Sequence, residues 1–534
     1  MVDDEGTVPG EAEDGTRANH GASVPRGLAR VPQSSLPQGR YGRMFRRLRP
    51  SSPTDASLRA LADSMGPFPV PPTVPTLTPV GATTTTTAPT TPAPAAAATA
   101  AAPSIQPGEN PDLPAGYTYL GQFVGHDITF DPVSSLERAN DPDALVSFRT
   151  PRFDLDSLYG TGPADSPWLY DQDDPVKLLI GRNTGPDDEP VDLPRNQQGR
   201  ALIGDPRNDV HVIISQLTLA FLRFHNAVVD HLRDQFVPDT ELFDEAQRLA
   251  RWHYQWMVIE EYLRPLVGSE ILDRVLVTDE ATGARHAQLR FFRWKQQPFM
   301  PVEFSVAAFR FAHSQVRATY QLNATLDPKH IFLPTLDPAP LEHLGGFRPL
   351  PRGWTIDWGF FFVVGGSSPQ LSRRIDTKVT GPMAQLPPML DRARRPLALL
   401  DLLRGKALGL PSGEAVARAM GTGVPDAELS LVAPTPLWYY LLREAEVVNE
   451  GRRLGPTSAT IVAEVFVGLL DGDPSSFLRA APNWAPTLPR AEPGRFTIVD
   501  LLRFAGVAPE PAFGETQPKP GAHGVGARQS LRPS

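Results

Sequence analysis

The sequence predicts a mostly α-helical fold with few short strands. In four separate stretches apolar residues recur every three or four positions, the spacing that lines one face of a helix. Strand-like stretches are scarce, and neither an internal repeat nor a glycine-rich phosphate loop is present. The chain starts polar and acidic from Met1 to Gly21, without the basic-then-apolar order of an export leader. From Pro67 to Gly108 there is no charged residue, and Thr83–Thr87 and Ala95–Ala98 are homopolymeric. Such a stretch has little to bury and many prolines to extend it, which predicts a disordered linker or insertion.

The first helical stripe runs through Ile214, Leu217, Phe221, Phe224, Val228 and Leu232 and predicts a helix over His211–Phe236. The second joins Ala246, Leu249, Trp252, Trp256, Ile259 and Leu263, and the third Val306, Phe309, Ala312, Val316 and Tyr320. Pro456 opens a fourth that reaches Leu470, proline being suited to a first helical turn. The expected organisation is an N-terminal extension over 1–66, the linker 67–108, a main domain over 109–512 and a loose tail over 513–534.

Composition excludes several function classes. The formal charge of −9 argues against nucleic acid or an anionic membrane as the main partner. With no cysteine, disulfide scaffolds, iron–sulfur clusters and thiol nucleophiles are excluded. The apolar run Phe360–Val364 falls far short of the roughly 20 residues that span a bilayer, so no transmembrane segment is expected.

Among the eleven histidines, two stand apart by their company. Gln122 and His126, four apart, would share one helix face, where they could bind and deprotonate a small polar ligand or simply be a solvated pair. Downstream, Thr150, Asp154 and Asp156 offer oxygen donors on an irregular segment, which suits a hard cation or, equally, a polar turn ending at Tyr159-Gly160. His313 lies on the third, apolar stripe. A buried imidazole there is either an iron ligand or a hydrogen-bonded core residue.

Together these segments resemble the animal-type haem peroxidase superfamily, which includes the mammalian granule peroxidases and many bacterial members. The matching blocks are Tyr119-Leu120-Gly121-Gln122-Phe123-Val124-Gly125-His126-Asp127, Phe153-Asp154-Leu155-Asp156-Ser157-Leu158-Tyr159-Gly160, Gly204-Asp205-Pro206-Arg207-Asn208, Phe309-Arg310-Phe311-Ala312-His313 and Asp401-Leu402-Leu403-Arg404-Gly405. They occur in the family's order over roughly residues 112–506.

The resemblance implies a helical fold holding one haem b between central helices, with His313 as the proximal iron ligand. Asp401 falls where the family usually has an asparagine that accepts the imidazole N–H, and a carboxylate there is a stronger acceptor. His126 is implied as the acid–base catalyst, Arg207 as the distal arginine and Gln122 as the distal glutamine. Arg310 and Arg404 match positions that hold haem propionates. Asp127, Thr150, the carbonyl of Arg152, Asp154 and Asp156 match a calcium site, with Asp156 where mammalian members have serine.

The implied activity is reduction of hydrogen peroxide through an oxoferryl intermediate, with oxidation of small organic donors or (pseudo)halides. Gly125 and Val210 replace the acids that ester-link haem in mammalian members, so an exchangeable haem is expected unless Asp209 substitutes. Arg310 stands where the lipid-oxygenating branches carry a radical tyrosine, which disfavours a dioxygenase. A haem-binding interaction module with little turnover is the competing class.

Overall fold

The computed structural model describes residues 39–66, 106–129, 146–147, 149–182, 189–333, 341–387, 395–429, 431 and 434–509. The expected tails and all but the last three residues of the expected linker lie outside these. Strand β1 (Gly39–Gly42) leads to helix α1 (Asp55–Ser64), whose N-cap Thr54 accepts from the N–H of Ser57. β2 (Glu109–Pro114) then runs into α2 (Gly116–Ile128). After β3 (Val146–Ser147) come the single turn α3 (Asp156–Tyr159), α4 (Val212–Asp234) and α5 (Asp239–Met257). α5 continues through a π-helical turn at Val258–Leu263.

Beyond these lie β4 (Met300–Pro301), α6 (Ala312–Gln315), β5 (Leu371–Arg373), α7 (Leu397–Ala407), α8 (Leu437–Asn449) and α9 (Pro456–Gly472). The strands only staple loops together. β1 pairs antiparallel with β3 and parallel with β4, while β2 pairs antiparallel with β5 across a register shift.

α2, α4, α5 and α9 carry most of the core, and α2 packs directly on α4 and α6. α4 is the one helix among the described residues that is long and apolar enough to cross a bilayer, and 83% of that window is buried inside the fold. It is a core helix by its surroundings. Residues 39–66, expected as an extension, join the same core through Tyr41, Phe45, Leu58, Ala62 and Met65.

The third stripe is not one helix. Val306 caps a helical turn at Val302–Ser305, the stripe then breaks into a 3₁₀ turn at Ala308–Arg310 and α6, and Tyr320 lies in a short strand. Phe304 stacks on Phe309 with ring centroids 5.0 Å apart. Residues five apart sit about 140° apart around a continuous α-helix, so that stack requires the break. Ala307, at φ −131° and ψ −71°, supplies it.

Candidate active site

α2 is buried along its length except at Tyr117, Gln122, Gly125 and His126, and the last three share one face. The Nδ1–H of His126 donates to Asn208 Oδ1 at 2.8 Å, which leaves a lone pair on Nε2. Burial, reinforced by the positive charge of Arg207, pushes this imidazole down to about 3, so it is neutral. Gln122 is held by a second histidine: the Nε2–H of His211 donates to Gln122 Oε1 at 2.9 Å, and His211 Nδ1 accepts from the N–H of Ile214 as the N-cap of α4.

Arg207 lies on a 3₁₀ turn over Pro206–Asp209, capped by Asp205, whose Oδ1 accepts the Arg207 N–H at 2.8 Å. Its Nη2 donates to Asp205 Oδ2 at 2.7 Å and to the carbonyl of His126 at 2.9 Å, fixing the guanidinium beside the distal histidine. Its side chain stays 28% exposed.

On the other side, the Nδ1–H of His313 donates to Asp401 Oδ2 at 2.5 Å. Asp401 is 1% exposed and also accepts from Arg310 Nη1 at 2.7 Å. Burial alone would raise this carboxyl, but the charges of His313 and Arg310 outweigh it and hold it below the usual range. Arg310 also donates through Nε to the carbonyl of Ser305. Arg404 sits one turn beyond Asp401 on α7, half-buried.

Asp127, the residue after His126, meets Asp154 and Asp156, with ligand oxygens within 4.8 Å of one another. Leu155 between the two loop carboxylates adopts φ +59°, a left-handed turn that is strained for a side-chain-bearing residue. Its N–H donates to Asp127 Oδ2, and Thr150 Oγ1 donates to Asp154 Oδ2 at 2.6 Å. The Arg152 carbonyl, in the same loop, accepts no hydrogen bond among the described residues. Burial, then the neighbouring Asp154, pushes Asp156 up to about 8; burial and both partners raise Asp127, and burial raises Asp154.

Both oxygens of Asp209 accept from Arg195, at 2.7 and 2.8 Å. Asn208, Asp205, Arg149 and the partnership of His211 with Gln122 escaped the reading of the sequence. Only Asn208 and Asp205 carried a signal, as neighbours of Arg207 in its motif.

The profile of the animal haem peroxidase family matches residues 132–428. The chain belongs to that family. The matched range takes in Arg207, His313, Asp401 and the Asp154–Asp156 loop, but not α2. Among relatives, chorion peroxidase of Drosophila melanogaster is 25% identical over 302 residues, covering 52% of this chain and 35% of that protein. Dual oxidase of the same organism is 24% identical over 235 residues, covering 39% of this chain and 13% of that protein. The chain thus spans about a third or less of these animal relatives. Peroxidase A from Dictyostelium discoideum superposes with a TM-score of 0.53 at 13% identity, over 86% of this chain and 91% of that one, which shows the shared helical fold.

The animal haem peroxidase family implies haem, and the residues fit it. Neither His126 Nε2 nor His313 Nε2 has a hydrogen-bond partner among the described residues. The His313 side chain, 29% exposed and giving Nδ1–H to Asp401, would present Nε2 to an iron. The carboxylate cluster would suit a hard cation: among the described residues Asp156 Oδ1 makes no hydrogen bond and meets only Arg149 at 3.4 Å, and the cluster gathers three oxygen-bearing acids.

Proposed function

We propose that this chain is a haem peroxidase that reduces hydrogen peroxide and oxidises small organic donors or (pseudo)halides. The observation that carries the proposal is the pair of backed imidazoles. His126 rests on Asn208 and His313 on Asp401, each with Nε2 left to act. Bound haem supplies the iron on which peroxide is split and on which its oxidising equivalents are held.

His313 Nε2 holds that iron, and Asp401, accepting at Nδ1, makes the imidazole a more electron-rich ligand. His126, neutral, takes a proton at Nε2 from the peroxide oxygen and returns it to the departing one. The proton on Nδ1 stays with Asn208, so the ring keeps its orientation through the transfer. Arg207, fixed by Asp205, stabilises the charge that develops as the O–O bond breaks. Gln122, fixed by His211, would orient water or a small anion by hydrogen bonding.

Asp127, Thr150, the carbonyl of Arg152, Asp154 and Asp156 hold calcium, which anchors the C-terminal end of α2 and with it His126. Haem is bound without an ester, since Gly125 and Val210 offer no acid and Asp209 is engaged by Arg195. Arg310, standing where a lipid dioxygenase would carry its tyrosine and paired with Asp401, supports the peroxidase over lipid oxygenation.

The test is stopped-flow mixing of haem-loaded protein with peroxide. Wild type should shift its Soret band on stoichiometric peroxide. His126→Ala should keep its haem and slow that step by roughly 10²-fold or more. Haem binding without any peroxide-dependent shift in wild type would favour an interaction module.

A further inference from the structure

A buried chain of charges joins the carboxylate cluster to Arg207. Arg149 Nη1 lies 3.4 Å from Asp156 Oδ1, and its Nε lies 3.0 Å from Asp205 Oδ2. Asp205, fully buried, takes Arg207 Nη2 on the same oxygen at 2.7 Å. Two guanidinium groups therefore divide one carboxylate, and one of them also reaches the cluster. Arg149 is anchored independently by donating from Nη2 to the carbonyl of Gly204 at 2.6 Å, so it can lean toward either acid without leaving its place.

The carboxylates of this chain outnumber the guanidinium groups that reach them, an imbalance a divalent cation would offset. Asp127, Asp154, Asp156 and Asp205 carry four negative charges, while Arg149 and Arg207 carry two positive ones. The next charges out, Arg251 and Asp473, cancel each other, and the charge of Arg152 also acts on Asp154. An aspartate at 156 adds a third carboxylate to the cluster, and Arg149 at 3.4 Å is the counter-charge that accompanies it.

We propose that Arg149 and Asp205 are positioning residues that couple occupancy of the cation site to the placement of Arg207. A cation on Asp156 displaces Arg149 from that oxygen. Arg149 then pairs more fully with Asp205, and Asp205 loosens its hold on Arg207, whose guanidinium turns toward the open side of the site. Without the cation, Arg149 is drawn to Asp156, and Asp205 clamps Arg207. The inference rests on the assignment of the carboxylate cluster to a cation and adds a route from that cation to the distal arginine.

Reciprocity supplies the test, since a site that moves Arg207 must feel its removal. The full chain, haem-free and haem-loaded, is titrated with terbium by luminescence, and calcium is measured by displacement. Arg149→Met should tighten terbium binding by about tenfold, because a cation competing for Asp156 is removed. Arg207→Met should tighten it at least threefold where Arg149 is present, because Asp205 then draws Arg149 off Asp156. In the Arg149→Met background the same substitution should act less than about twofold, within the scatter of independent sites.

Equal effects of Arg207→Met in both backgrounds would overturn the coupling, since a long-range field acts with or without Arg149. Weaker terbium binding by Arg149→Met would overturn it too. Should that variant not fold, Arg149→Lys keeps the charge, lacks the fork that spans both acids, and should likewise lose the Arg207 effect. Absence of terbium binding in wild type would instead sink the cation assignment itself, and the coupling with it.

Discussion

Replacing Asp401 by asparagine removes one charge, keeps the side-chain shape and strikes the two bonds that define the proximal side. Asp401 is 1% exposed and accepts from His313 Nδ1 at 2.5 Å and Arg310 Nη1 at 2.7 Å. Hydrogen bonds to charged groups contribute about 1.5–3 kcal/mol each, neutral ones about 0.5–1.5. The amide oxygen of Asn can keep the His313 bond in neutral form, but its NH₂ then faces the Arg310 guanidinium, donor against donor. Arg310 is 28% exposed, so water recovers part of that loss. The haem-free variant should therefore be less stable by about 2–3 kcal/mol, measured by denaturant unfolding. In the haem-loaded protein, a neutral acceptor makes His313 a poorer donor to ferric iron, so the reduction potential should rise. A difference of roughly 1–1.4 kcal/mol between charged and neutral acceptor corresponds to about 40–60 mV for one electron. Spectroelectrochemistry reads that shift, and the unfolding arm needs no cofactor. Unchanged unfolding together with an unchanged potential would refute the placement of Asp401 behind His313.

Acid–acetone extraction should strip unmodified haem from the wild-type chain, because Asp209 is held by Arg195 and Gly125 and Val210 carry no acid; mass spectrometry finding haem on a peptide with Asp209 would contradict this. Gly121→Ala should destabilise the fold by about 1–3 kcal/mol, since its Cβ would stand 2.1 Å from the hydroxyl of buried Tyr262; an unchanged melting temperature would show that Tyr262 yields freely. Glu444 is fully buried, accepts from Thr457, and is pushed by burial from 4.5 up to about 7. A raised folded-state pKa gives stability that is complete below about 4.5 and lost as pH rises through about 7. Glu444→Gln should thus exceed wild type by up to about 3 kcal/mol at pH 8 and lose that advantage near pH 4.5; a difference constant across pH would count against this burial argument.

What was legible in the sequence divides by the range of the interaction that makes it. The helix expected over His211–Phe236 is found at Val212–Asp234, and the one opening at Pro456 runs to Gly472, because local periodicity and a cap decide both. The stripe from Val306 to Tyr320 was misread as a helix, because its aromatic residues serve several faces of the core and the Phe304–Phe309 stack overrides propensity. Spacing could bring Gln122 and His126 to one face, and it could suggest the loop of Asp154 and Asp156. It carried no sign that Arg149 meets Asp205 across 56 positions, that Asn208 backs His126 across 82, or that Arg310 turns to Asp401 across 91. Charged residues at those separations look like a solvated surface until the fold buries them.

The aspartates make the same point chemically. Asp401 and Asp205 are each buried beside guanidinium groups, Asp401 against Arg310 and the Nδ1–H of His313, Asp205 against Arg149 and Arg207, and both are held below the usual carboxylate range. Asp127, Asp154 and Asp156 are buried with too few cations to match them and are all pushed upward. One residue type thus occupies two electrostatic states within a single site. The first state is complete as the chain folds, because each charge already has its partner. The second keeps more carboxylates than guanidinium groups even when Asp205, Arg149, Arg207 and Arg152 are counted in. A divalent ion would offset that excess, and protonation is the alternative. Because Arg149 belongs to both groups, the proposed coupling would carry the choice between ion and proton to Arg207.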